Sequence, residues 1–187
     1  MNSNTELLSS NGITEAFKVV LDSEYRHKYY RLIIEIAIIS EEMLFKYDKS
    51  GLLEPIIAEL QSKNAWIQSN AIDMLAMLTT TINGLNYLKK KKVIMLLEVA
   101  INQVEKSAII CLILPNLIKF FASVIRTKPE YLISKYQGFL GSICLEINFD
   151  TLMYGHDKGI KQTCLSAFGI IASNSENLKT MAQHSKH

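Results

Sequence analysis

The chain is short of net charge, of cysteine and of long apolar runs, and each shortage removes a class of function. Its 20 Lys and Arg against 18 Asp and Glu leave a formal charge of +2. So even a balance does not point to nucleic acid or to an anionic membrane, both of which reward a basic surface. No uninterrupted apolar run reaches the ~20 residues that a membrane-spanning helix needs. The opening residues MNSNTELLSSNG have neither the basic region nor the apolar stretch of a secretory signal. Cys111, Cys144 and Cys164 are odd in number, widely spaced, without a CxxC pair, and each sits in apolar sequence. That is the usage of buried thiols in a reducing compartment, so the chain reads as cytoplasmic, with the nucleus as a second compartment.

Catalytic signatures are missing as well. There is no GxSxG elbow, no GxxxxGK[ST] phosphate loop and no HExxH pair. His27, His156, His184 and His187 share no ligand spacing. His27 lies among Arg26, Lys28 and Arg31 and reads as a solvated surface group; His156 beside Asp157 reads as polar turn residues. No catalytic, cofactor-binding or metal-binding residue and no small-molecule substrate are predicted. Lys89, Lys90, Lys91 and Lys92 form the one charge run, and cations at a helix C-terminus meet the helix dipole favourably. Trp66, the single tryptophan, is expected to pack on the preceding helix.

What the chain does have is a 49% hydrophobic content arranged at helical spacing, enough for a continuous core. The stretch Ser40 to Thr80 shows the layout. Ser40 can cap a short helix, Glu41 to Lys49, with Glu41 and Glu42 favourable at its positive end, and Gly51 stops it. A second helix, Leu52 to Gln61, carries Leu52, Leu53, Ile56, Ile57 and Leu60 on one face, with Pro55 in its first turn, where a missing N–H costs little. A third and longer helix, Trp66 to Thr79, has an apolar face too wide for a lone surface helix and so needs neighbours on two sides. Short, medium and long helices within one period match an armadillo or HEAT-type repeat of roughly 40 to 47 residues.

The same ruler divides the rest. Before it come a short helix near residues 4–10, Gly12 in register with Gly51, a second helix over 13–22 and a long helix over 24–39 holding Tyr25, Tyr29, Leu32, Ile33, Ile36 and Ala37. After it come a short helix over 83–92 and a second over 93–103, with Val93, Ile94, Leu96, Leu97, Ala100 and Ile101 facing inward. A long helix over 107–125 follows, kinked or started by Pro115. Lys92 occupies the stop-glycine position, which predicts either a different exit from the helix or a bend without positive φ, and hence the least regular boundary of the repeats. A fourth repeat runs from Pro129 through Gly138, a second helix over 139–148 and a loop over 149–157 to a long helix over 159–172. A fifth short helix begins at Ser175. The predicted fold is therefore an all-α, right-handed superhelical solenoid, one domain over 1–187 with repeats at about 4–40, 41–80, 83–125 and 129–172 and a partial fifth at 175–187. A lone short helix after Ile171 would leave the last long helix uncovered, so the chain is expected to be part of a longer solenoid.

The strings YRLIIEIAIISEEMLFKYDKSGLLEPIIAEL (residues 30–60), NAIDMLAMLTTTINGLNYL (70–88), LPNLIKFFASV (114–124) and GIIASNSENLK (169–179) resemble the non-ATPase regulatory subunit 5 family of the proteasome. The likeness covers most of the chain and rests on overall pattern. It implies an all-helical assembly chaperone whose partner is an ATPase subunit of the regulatory particle base, held through that subunit's C-terminal domain. In such a stack the exposed stripe of the long helices lines a concave face. Aligning Ala76, Ala122 and Gly169 puts Asn70, Asp73 and Met77, then Asn116, Lys119 and Ser123, then Thr163, Ser166 and Ile170 on that stripe. Armadillo adaptors that read basic peptides present Trp and Asn at the second and third members of each trio, and this sequence does not. An armadillo-type adaptor for a different protein or peptide is the alternative.

Overall fold

A computed structural model describes residues 23–101, 108–131 and 158–184. Helix α1 spans Ser23–Ala37, α2 Glu41–Lys49, α3 Glu54–Ala58 with a 3₁₀ turn over Glu59–Gln61, and α4 Ala65–Leu78. Next come α5 over Ile82–Lys90, α6 over Val93–Ile101, α7 over Ala108–Thr127, α8 over Lys158–Ala172 and α9 over Ser175–His184. The architecture is an all-α solenoid in which the long helices pack side by side in order, α1 on α4, α4 on α7 and α7 on α8. The short helices α2 and α5 pack on each other beside them. No helix among the described residues is long and apolar enough to cross a membrane. The segments read as helices over 4–10, 13–22 and 139–148, with Gly12, Gly138, Cys144, His156 and Asp157, lie outside the described residues.

Local chemistry sets the boundaries. The Ser40 hydroxyl accepts from the Met43 amide at 3.2 Å, and Thr81 does the same for Gly84 at 3.1 Å, each covering an amide that the first helical turn leaves without a partner. Pro55 falls in the first turn of α3. Asn64 caps α4 by accepting from the Trp66 amide at 2.9 Å. The amphipathic face read from Leu52 to Leu60 is buried as expected, with Leu53 and Ile56 wholly enclosed.

Several expectations are corrected. Lys92 does not avoid positive φ: it sits at +61°, beside +72° at Gly51. Both turns carry the same bonds, Gly51 N to Asp48 O at 3.1 Å and Lys92 N to Lys89 O at 3.0 Å. The left-handed turn survives in a lysine because its flanks, Leu88 and Val93, are both buried and force the chain back onto the core. Lys91 anchors the same corner, with Nζ 2.7 Å from Asp48 Oδ1, bonded to Glu54 and 5.6 Å from the centre of the Tyr87 ring. The bonds to Asp48 and Glu54 raise the Lys91 pKa, hydrogen bonding to Asp48 being the largest cause. Trp66 is 79% exposed and does not pack on the preceding helix; Gln68 makes that join by donating to Leu60 O at 2.7 Å. Helix α7 neither starts at Pro115 nor stops there. In α1, Tyr25 and Leu32 face solvent while Tyr30 and Ile34 join Ile33 and Ala37 in the core, and in α6 Leu96 is exposed. Cys164 is buried in α8, as read from its apolar setting.

One glycine is dictated by contact. A Cβ on Gly84 would lie 2.1 Å from the carbonyl oxygen of Leu78, so the N-terminus of α5 can approach the end of α4 only without a side chain. Gly84→Ala is expected to lower unfolding stability in urea by about 2 kcal/mol or more, the scale of overpacking in a tight site. Lys92→Gly is expected to raise it by about 1 kcal/mol, because a left-handed residue with a Cβ carries a strain of that order. A destabilised Lys92→Gly would show that the lysine side chain, not its backbone angle, holds the corner.

Candidate functional site

The long helices present a groove of about 330 Å³ lined by Arg31 of α1, by Asp73, Met74, Ala76 and Met77 of α4 with Thr80 just beyond it, by Lys119, Ser123 and Arg126 of α7, and by Ile170 of α8. Five of the nine residues predicted from sequence, Asp73, Met77, Lys119, Ser123 and Ile170, meet there. Asp73 and Lys119 are exposed; Met77 and Ile170 are half-buried and give the groove apolar flanks. The sequence reading missed Arg31 and Arg126. Arg126 lies one helical turn beyond Ser123, so extending the stripe by a turn would have found it; nothing in the sequence singles out Arg31.

The other four predicted residues lie outside the groove. Asn70 is hydrogen-bonded to His27 of α1, Nδ2 to Nε2 at 3.1 Å, and Asn116 donates to both the carbonyl and the hydroxyl of Ser69, at 2.9 and 2.7 Å. These amides tie neighbouring long helices together. Thr163 is buried in α8, and Ser166 is exposed. Ser123, although it reaches the groove, is only 8% exposed, and its hydroxyl is hydrogen-bonded to that of Thr79 at 2.7 Å. Thr127 donates to Thr79 O at 2.6 Å, and Asn174 and Asn177 donate to Arg126 O and Ile125 O at 3.0 and 3.2 Å. A helix leaves its last carbonyls without internal partners, and here the next repeat supplies them.

His27 is thus a half-buried bridging residue and not a solvated one. It lies near Glu59, whose carboxyl pKa is raised mainly by burial and drawn partly back by Arg26, with Nε 3.3 Å from Oε1, and by His27.

With this geometry in view, comparison with known proteins is decisive. A family model described as proteasome non-ATPase 26S subunit matches residues 3–187. The chain belongs to that family. The 26S proteasome non-ATPase regulatory subunit 5 of Homo sapiens is 25% identical over 179 residues, covering 94% of this chain and 34% of that protein. The subunit of the same name from Drosophila melanogaster is 21% identical over 159 residues, covering 85% and 30%. The chain therefore spans about a third of the length of these members of the proteasome subunit family. Two crystal structures of engineered proteins share the fold at 17% identity, with TM-scores of 0.51 and 0.50, covering 88% and 87% of this chain and 63% and 38% of theirs.

Two outcomes follow from these contacts. Asn116→Ala, which strips the Ser69 carbonyl and hydroxyl of their donor, is expected to cost about 1–3 kcal/mol in chemical denaturation, whereas Ser166→Ala should stay within about 0.5 kcal/mol. The raised Glu59 pKa means that folding favours the neutral carboxyl, so this residue's contribution is most favourable below its ordinary pKa and is lost as pH rises through the folded value. Glu59→Gln should accordingly gain stability relative to the parent at neutral pH, the difference vanishing in acid; a pH-independent difference would assign the effect to packing.

Proposed function

We propose that the chain is a non-enzymatic protein-binding scaffold that acts as an assembly chaperone for the regulatory particle base of the proteasome in the cytoplasm. Its partner in this reading is the C-terminal domain of an ATPase subunit, received along the face formed by the long helices. The observation that carries it is the groove, in which residues from α1, α4, α7 and α8 converge although they come from distant parts of the chain. Solenoids use such continuous faces for extended protein contacts, because each repeat adds a strip of surface in fixed register with the last. Asp73 of α4 and Lys119 of α7, both lining the groove, would fix a partner's orientation through opposite charges, which act more on selectivity and association rate than on affinity. Family membership supports a role at the proteasome and leaves the choice of partner to experiment.

The tagged chain is to be presented with purified C-terminal domains of the proteasomal ATPase subunits. Retention of one of them is expected, and Asp73→Lys combined with Lys119→Asp is expected to abolish it while the circular dichroism stays helical. Retention of none, with recovery of an unrelated protein or peptide, would replace the chaperone role by the adaptor alternative. Undiminished retention by the double variant would move the interface off this groove.

A further inference from the structure

The groove has a charge pattern that a general scaffold does not require. Lys119 and Arg126 both stand on α7, and neither has an ion-pair partner among the described residues. Arg31 adds a third cation, held on one side by Glu35 with Nε 2.9 Å from Oε1. Against these, Asp73 is the single carboxylate among the described lining residues. Ser123 lies between Lys119 and Arg126 on α7, and Met77 of α4 and Ile170 of α8 add apolar lining from the two neighbouring helices.

The spacing is informative. At a rise of ~1.5 Å per residue, Lys119 and Arg126 are about 10 Å apart along α7, close to two full turns, so their side chains leave the same side of the helix. A segment in the extended polyproline II form rises ~3.1 Å per residue with three residues per turn, so side chains at i and i+3 leave the same side about 9 Å apart. We propose that the groove takes an extended acidic segment of a partner protein, with two carboxylates three residues apart and an aliphatic side chain between them. The carboxylates meet Lys119 and Arg126, and the aliphatic group enters between Met77 and Ile170. This rests on the scaffold function above and specifies which part of a partner the groove receives. A nucleic acid fits less well, because its phosphates would meet Asp73 and would gain nothing from Met77 and Ile170.

The probe is a short fluorescein-labelled peptide containing Glu-Leu-Ala-Glu between Gly and Ser residues, titrated with the full chain and followed by fluorescence anisotropy. Comparison peptides carry Lys in place of Glu, or the two Glu residues adjacent. Preference for the first peptide over both by about tenfold is expected, as is a loss of about tenfold or more on Lys119→Glu or Arg126→Glu. Asp73→Asn, which removes the opposing charge, should tighten binding several-fold, and Arg126→Lys should retain most of it. Lys119→Gln and Arg126→Gln replace the reversals if circular dichroism shows that those unfold the chain. No peptide binding, equal affinity for the Glu and Lys peptides, indifference to both charge changes, or equal displacement by a single-stranded oligonucleotide would each overturn the proposal. Retention of an ATPase C-terminal domain by charge-reversed chains would overturn the groove's role and leave the scaffold function standing. Peptide binding without retention of any such domain would do the opposite.

Discussion

Hydrogen bonds between neighbouring long helices are the constraint on which the rest of the structure depends. Apolar burial holds α4, α7 and α8 together, with Phe120, Phe121, Leu117 and Ile125 enclosed in α7. Burial alone has no direction, and one helix could slide or roll on the next with little change in area. The Asn116 amide on Ser69, the Thr79 and Ser123 hydroxyls, and Thr127 on the Thr79 carbonyl allow one register only. A slip would break these bonds and leave the buried Ser123 hydroxyl without its Thr79 partner, a cost of about 1–3 kcal/mol.

That register is what assembles the groove. With α4 and α7 joined through Thr79 and Ser123, Asp73 and Met77 of α4, Lys119 of α7 and Ile170 of α8 line one groove. Polar residues on the long helices are therefore divided between two tasks. Asn70, Asn116 and the Ser123 hydroxyl spend their bonding capacity on the adjacent helix, whereas Asp73, Lys119 and Arg126 line the groove. Arg126 shows the division within one residue. Its carbonyl is taken by Asn174, and the residue also lines the groove.

How much was legible in the sequence varies with how local the cause is. Ser40, Thr81 and Asn64 act on amides within three residues of themselves, so the starts of α2, α5 and α4 could be read to within a residue or so. Lys92 could not, because its positive φ is imposed by burial of Leu88 and Val93 on either side of the turn. Trp66, Tyr25 and Leu32 look like core residues by composition and are exposed, since each helix is rolled by its neighbours toward other apolar positions. His27 looked solvated among its cationic neighbours in sequence. Its actual partner, Asn70, belongs to the next long helix.

By itself the sequence determined the all-helical class, the position of most of the described helices, the Ser40 cap, and the stripe that holds five of the groove residues. Those are consequences of hydrophobic spacing and of bonds between near neighbours in the chain. Only the tertiary structure decided which members of that stripe are spent on the adjacent helix and which stay available, and only it brought Arg31 and Arg126 to the same groove. The physical reason is that a polar side chain on a long helix has two competing partners, the next repeat and an incoming molecule. The roll and register that choose between them are set by contacts more than forty residues apart.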